Sequence, residues 1–151
     1  MIWGFVMPNG LVTVKIIGKR FNSENYIKLM KDFALPIMKL NYKDMVFAQD
    51  NSSIHTSKKV TNFLKTERVK VLQWPSKSPD INLIENIWKI LSDEVYSGIQ
   101  PRNIHQLEEI IFKSVNNINQ NKREIIINLY QDFRRRLTKI LLSKGEIINS
   151  E

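Results

Sequence analysis

The sequence predicts an α/β fold with a mixed sheet flanked by helices, and three observations carry that reading. An alternating, β-branched segment follows a tight-turn signal near the start. Two short apolar runs further on each end in polar, turn-forming residues. Helical apolar spacing separates those runs and fills the last third of the chain. Strands alternating with helices after an opening hairpin mark α/β architecture.

Ile2 to Met7 is apolar and aromatic, and Pro8-Asn9-Gly10 follows. Asn and Gly tolerate positive φ, so this is a hairpin turn. Leu11 to Ile17 then alternates Val12, Val14 and Ile16 with Thr13 and Lys15. Asn22-Ser23 are capping residues before a stripe of Tyr26, Leu29, Met30, Phe33 and Ile37. Pro36 is expected to disturb the last turn of that helix. Met45 to Gln49 reads as a buried strand ending at Asp50, and Asn51-Ser52-Ser53 as loop. A helix is expected from Thr56 to about Thr66, burying Val60, Phe63 and Leu64, with a second buried strand over Val69 to Leu72. The segment Trp74 to Asp80 holds two prolines and is irregular. Three helices follow. The first starts at Asn82 with Ile84, Ile87, Trp88, Leu91 and Val95 in phase. The second opens at Pro101-Arg102-Asn103, and the third runs from about Lys122 to Ser143, with Gly145 as its stop.

The 151 residues suit one domain, with 1–96 carrying the sheet and 97–151 the C-terminal helices. Zero cysteines exclude a disulfide framework and any Cys-ligated metal. No apolar run approaches the roughly 18 residues a membrane helix needs, and the N-terminus lacks the pattern of a signal peptide. Lys and Arg number 23 against 15 Asp and Glu, for a net charge of +8 and a pI near 9.7. That balance suits a polyanionic partner, most often nucleic acid, although a solvated lysine-rich surface gives the same count.

In open α/β sheets, ligands gather at the carboxyl ends of strands. Asp50 is the first acidic residue after an apolar strand, and Glu85 lies in the first turn of the helix after the proline-rich loop. Mg²⁺ binds through one or two carboxylates and substrate phosphate, so two such acids beside a basic surface suit metal-assisted phosphodiester chemistry. Plainer readings stand beside this one. Asn82 and Glu85 have capping-box spacing, and Asp50 suits an Asx turn. His55 is read as a loop-organising hydrogen bonder, and Trp88 as a brace for its helix against the sheet. Arg134, Arg135, Arg136 and Lys139 form a basic patch, with Lys58 and Lys59 close after the Asp50 loop.

Longer motifs carry a resemblance. Gln49-Asp50-Asn51-Ser52-Ser53-Ile54-His55-Thr56 resembles the "QDNAPxHT" signature of Tc/mariner-type transposases. Val71 to Trp88 resembles their "WPxxSPDLNPIENxW" signature. Between Asp50 and Glu85 lie 34 residues, the family's spacing from second Asp to Glu. Ile2-Trp3-Gly4, Asn22 to Tyr26 and Leu129 to Gly145 are similar to further family segments, so the likeness covers essentially the whole chain. It implies an RNase H-like fold, Mg²⁺ or Mn²⁺ held by Asp50 and Glu85, and DNA cleavage with strand transfer. It also implies transposon ends and target DNA as partners, and a nuclear location. Asn51, His55 and Asn82 are expected to organise the loops; Lys58, Lys59, Arg134, Arg135, Arg136 and Lys139 are the expected nucleic-acid contacts.

The sequence departs from the family pattern at its start. The family's first catalytic Asp lies on a central strand upstream of the segment matched by Ile2-Trp3-Gly4. Glu24, Asp32 and Asp44 do not fit that role, since two lie on a helix and one precedes a strand. A partial catalytic domain lacking the first central strand is therefore expected, with an incomplete two-metal site and weak or absent nuclease activity alone. Three readings follow: a transposase catalytic fragment, a non-catalytic remnant that binds DNA or a partner, and another RNase H-like nuclease completed by a second chain. A homodimer or a full-length transposase is the protein partner expected, and no membrane.

Overall fold

The computed structural model describes residues 1–41, 44–74, 82–98 and 100–142, with side chains described except at 136, 137 and 139–142. Its contacts fall into two compact units. One comprises Met1 and residues 17–78; the other comprises residues 2–16 and 79–151. The hairpin thus falls in one unit with residues 79–151 rather than with residues 17–78. No helix among the described residues is long and apolar enough to cross a membrane.

In the second unit, β1 (Ile2–Val6) pairs antiparallel with β2 (Val12–Ile16), in register from Ile2 opposite Ile16 to Val6 opposite Val12. Gly10 takes φ +80, and its N–H donates to Met7 O at 2.9 Å, while the Asn9 side chain accepts from Leu11 N–H at 3.1 Å. The turn needs glycine for a second reason: a Cβ on Gly10 would lie 2.7 Å from the Arg123 carbonyl. Helices α4 (Leu83–Tyr96), α5 (Ile104–Asn121) and α6 (Arg123–Leu142) pack around the hairpin. Val12, Val14, Ile87, Leu91, Ile111, Val115, Ile118 and Ile126 fill the shared core. Gly4 lets Trp88 lie directly on β1, since a Cβ there would meet the indole at 2.7 Å. Asn119 on α5 closes the outer edge of β2, accepting from Val12 N–H and donating to Val12 O, each at 2.8 Å. A single side chain satisfies the donor and the acceptor that an edge strand leaves open.

The first unit begins with α1 (Ser23–Leu29), capped by Asn22 in a reciprocal box with Asn25. A π-helical turn (Met30–Ala34) follows, and α2 (Leu35–Asn41) continues through Pro36. Leu35 N–H reaches back five residues to Met30 O. The wider turn comes just before the proline, which has no N–H to give the helix ladder. It also explains why the expected stripe slips. Tyr26, Leu29 and Met30 are buried as predicted, but from the end of the π turn onward Ala34, Leu35 and Met38 are buried, while Phe33 and Ile37 are only half-buried.

β3 (Val46–Phe47) pairs in parallel with β4 (Lys70–Val71). Both are shorter than the sequence suggests, although Leu72 N–H continues the ladder to Phe47 O at 2.8 Å. They are also less buried: Phe47 is covered, but Val46 is 55% exposed and Val71 40%. Antiparallel and parallel pairing are both present, but among the described residues they fall in two separate two-stranded sheets rather than in one mixed sheet. α3 (Lys58–Thr66) starts at Ser57, whose side chain accepts from Val60 N–H, and packs Val60 and Leu64 inward on the side of α1. It ends in two crossing bonds, Arg68 N–H to Lys65 O and Val69 N–H to Leu64 O, with Arg68 at φ 57.

Candidate functional site

Asp50 leaves β3 two residues after Ala48 and enters a compact loop. Its Oδ1 accepts from Ser52 N–H at 3.0 Å, the geometry of an Asx turn, and lies 2.6 Å from His55 Nδ1. With Nδ1 as the donor, the imidazole is fixed in one tautomer and one orientation. Both bonds fall on the same oxygen, and the Ser52 hydroxyl also acts on the carboxylate. The carboxylate is about half exposed, with 54% of its side chain open, while His55 is largely covered at 19%. Burial pushes the Asp50 carboxyl up, but the Ser52 N–H and the His55 side chain outweigh it and hold the group below the usual carboxylate range. Asp50 is therefore an anionic oxygen donor at neutral pH.

Three further residues support the loop. Asn51 Nδ2 donates to Trp74 O at 2.8 Å, which ties the loop to the chain after β4. Thr56 binds Ser52 O through both its N–H and its hydroxyl. Behind Asp50, the Tyr26 hydroxyl donates to Gln49 Oε1 at 2.7 Å, and the Tyr26 ring lies 4.7 Å from that of His55. Burial, and then the Asp50 charge, push the Tyr26 phenol up, so it stays protonated and able to donate. Sequence reasoning assigned no role to Tyr26, Gln49 or Ser52. The helical period places Tyr26 on a buried stripe, but a period does not say where a hydroxyl reaches.

Glu85 lies in the first turn of α4 and is exposed. Asn82 caps that helix through its backbone, its carbonyl accepting from Glu85 N–H at 3.1 Å, without a capping bond from its side chain. Among the described residues the Glu85 carboxylate has no hydrogen-bond or ion-pair partner, so the capping-box reading gains no support there. Trp88, one turn on, fixes the helix against Gly4 of β1.

The basic residues are differently placed. Lys58 is exposed at the start of α3, whereas Lys59 is paired with Glu24 at 2.6 Å. Arg134 is exposed on α6, and Arg135 pairs with Asp132 at 2.6 Å. The side chains of Arg136 and Lys139, and the loop over 75–81, lie outside the described residues. Among the described residues no three His, Asp or Glu side chains form a metal cluster. The donors at hand are carboxylate oxygens, which suit a hard divalent cation.

These elements define a class first: a mixed α/β domain of RNase H-like fold. The catalytic domain of Mos1 mariner transposase matches 98% of this chain and 75% of its own, with a TM-score of 0.75 at 15% identity. The same domain has been solved with Raltegravir and Mg, where the TM-score is 0.71. Residues 1–108 match the DDE superfamily endonuclease family, and the chain belongs to that family. Among relatives, the Tc3 transposase of Caenorhabditis elegans is 28% identical over 151 residues, covering 99% of this chain and 45% of the relative. The Tcb1 transposase of Caenorhabditis briggsae is 29% identical over 149 residues, covering 96% and 52%. The Tc1 transposase of Caenorhabditis elegans reaches 35% identity over 107 residues, covering 68% and 38%. The chain spans about half the length of the first two.

Proposed function

We propose that this chain is the acid-bearing part of a transposase catalytic domain, with Asp50 and Glu85 as its metal-holding residues and DNA as its substrate. The observation that carries the reading is the Asp50 carboxylate. It is ionised, held at Oδ1 by Ser52 N–H and His55, and set in the segment that resembles a Tc/mariner signature. Mg²⁺ or Mn²⁺, when bound, would supply charge stabilisation at the scissile phosphate. Asp50 would offer its half-exposed carboxylate to the cation while Ser52 N–H and His55 hold Oδ1. Glu85 offers an exposed carboxylate on a helix braced by Trp88. Lys58 and Arg134 are the described cations without an ion pair among those expected to meet phosphate, and Lys59 and Arg135 would join by exchanging their acidic partners for it.

The test combines DNA retention with metal binding on the purified chain. Retention on duplex DNA should weaken with salt, and Lys58→Gln and Arg134→Gln should each lower the magnitude of the log–log slope by about 0.9. Asp50→Ala and Glu85→Ala should each reduce Mn²⁺ binding and leave DNA retention intact. Mn²⁺ binding unchanged in both variants would remove the catalytic reading and favour a DNA-binding remnant.

A further inference from the structure

Tyr26 is fully buried, yet it is not a plain core residue. A phenylalanine would fill the same volume without a polar atom to satisfy, because burying a hydroxyl is costly unless it is hydrogen-bonded. Here the hydroxyl is spent on Gln49 at 2.7 Å, the residue immediately before Asp50. The ring of the same side chain lies 4.7 Å from His55, whose Nδ1 is 2.6 Å from Asp50 Oδ1. One side chain on α1 therefore meets the loop acid from both directions: along the backbone through Gln49, and across space through His55. Asp50 itself is half exposed and sits after a strand of only two residues, so little else in the ladder fixes it.

We infer that Tyr26 is a positioning residue for Asp50, holding Gln49 and the His55 ring so that the Asp50 carboxylate has one fixed place from which to meet a cation. Groups that orient a metal ligand tune affinity strongly, and their loss typically weakens binding about 10–100-fold. The inference rests on the reading of Asp50 as a metal-holding acid, and the experiment separates the two.

The full chain, ¹⁵N-labelled, is titrated with Mn²⁺ alone, and paramagnetic broadening of the Asn51 and Ser52 amide signals reports occupancy at the loop. Tyr26→Phe keeps the ring and removes the hydroxyl. The Mn²⁺ concentration for half-broadening should rise about tenfold, at the low end of that range. Gln49→Met removes the acceptor from the other side and should give a similar shift, which covers the case of a poorly folding Tyr26 variant. Met38→Ala, a core truncation on α2, is the structural control: it should lower the thermal midpoint and leave the half-broadening concentration of the folded chain unchanged. If Asp50→Asn abolishes the broadening while Tyr26→Phe and Gln49→Met stay within twofold of the parent, the positioning role is overturned and the metal reading stands. If Asp50→Asn leaves the broadening unchanged, the metal reading itself falls, and the inference with it.

Discussion

The hairpin β1–β2 pairs five residues on each strand, buries Phe5, Val12 and Val14, and has Val12 of its outer edge capped by Asn119. The parallel pair β3–β4 is built from two residues on each strand, with Phe47 covered but Val46 and Val71 exposed. Parallel sheets are ordinarily covered on both faces, so the second pair is the unusual one. The difference shows two ways of making a short strand useful. The hairpin is a platform: it supports α4, and so Glu85, through the contact of Trp88 with Gly4. The parallel pair is a delivery device: it brings Asp50 to a strand end, and bonds from the Tyr26, Asn51 and His55 side chains and the Ser52 N–H do the fixing that a longer ladder would do elsewhere.

The sharpest way to break this contrast is Asn119→Ala. It strips both bonds from the β2 edge at once, and unsatisfied partly buried groups cost about 1–3 kcal/mol each. We expect a loss of about 2 kcal/mol in urea unfolding, together with faster hydrogen exchange at the Val12 amide. Unchanged exchange there would show that the edge needs no cap.

A smaller effect comes from pH. The Lys122 hydrogen bond, opposed by burial and joined by a bond from Asn117, holds the Glu94 carboxyl below its ordinary value of 4.5. A depressed carboxyl stabilises the fold above its unfolded value and loses that contribution as pH falls through the folded one. Stability of the helices around the hairpin should therefore decline below about pH 4.5. Glu94→Gln should cost about 1 kcal/mol at pH 7 and flatten the decline. An acid limb equally steep in both chains would assign the effect to other carboxylates.

The smallest effect is expected at the parallel pair. Val46 is 55% exposed, so Val46→Thr should stay within about 0.5 kcal/mol of the parent in the same urea series. A cost well above 1 kcal/mol would mean that this face is covered, and the contrast between the two pairs would shrink.

Much of this architecture is legible in the residues. Asn9-Gly10 announces the hairpin, because the turn needs positive φ. The periods of Ile87, Leu91 and Val95, and of Ile111, Val115 and Ile118, announce α4 and α5. The short apolar runs around Val46 and Val71 mark strands but not their cover, since strand preference reports packing that lies elsewhere in the fold. Asp50, Glu85 and His55 stand out through their motifs. The supports of Asp50 do not: Tyr26 precedes it by 24 residues, and only the folded chain brings a hydroxyl on that helix to Gln49.

The π turn over Met30–Ala34 has a consequence for tolerance to insertion and deletion. Such a turn amounts to one supernumerary residue in an otherwise α-helical segment. Excising Lys31, which is exposed, would let the segment close as a regular helix with Tyr26 and Met38 still facing inward. Excising Lys28 would use up the same spare residue only by turning Leu29 and Met30, both buried, by about 100°. Thermal melts of the two deletion variants should therefore diverge, the first remaining near the parent. This stretch carries a spare length unit, and a lineage could lose it without losing the loop acid that Tyr26 braces.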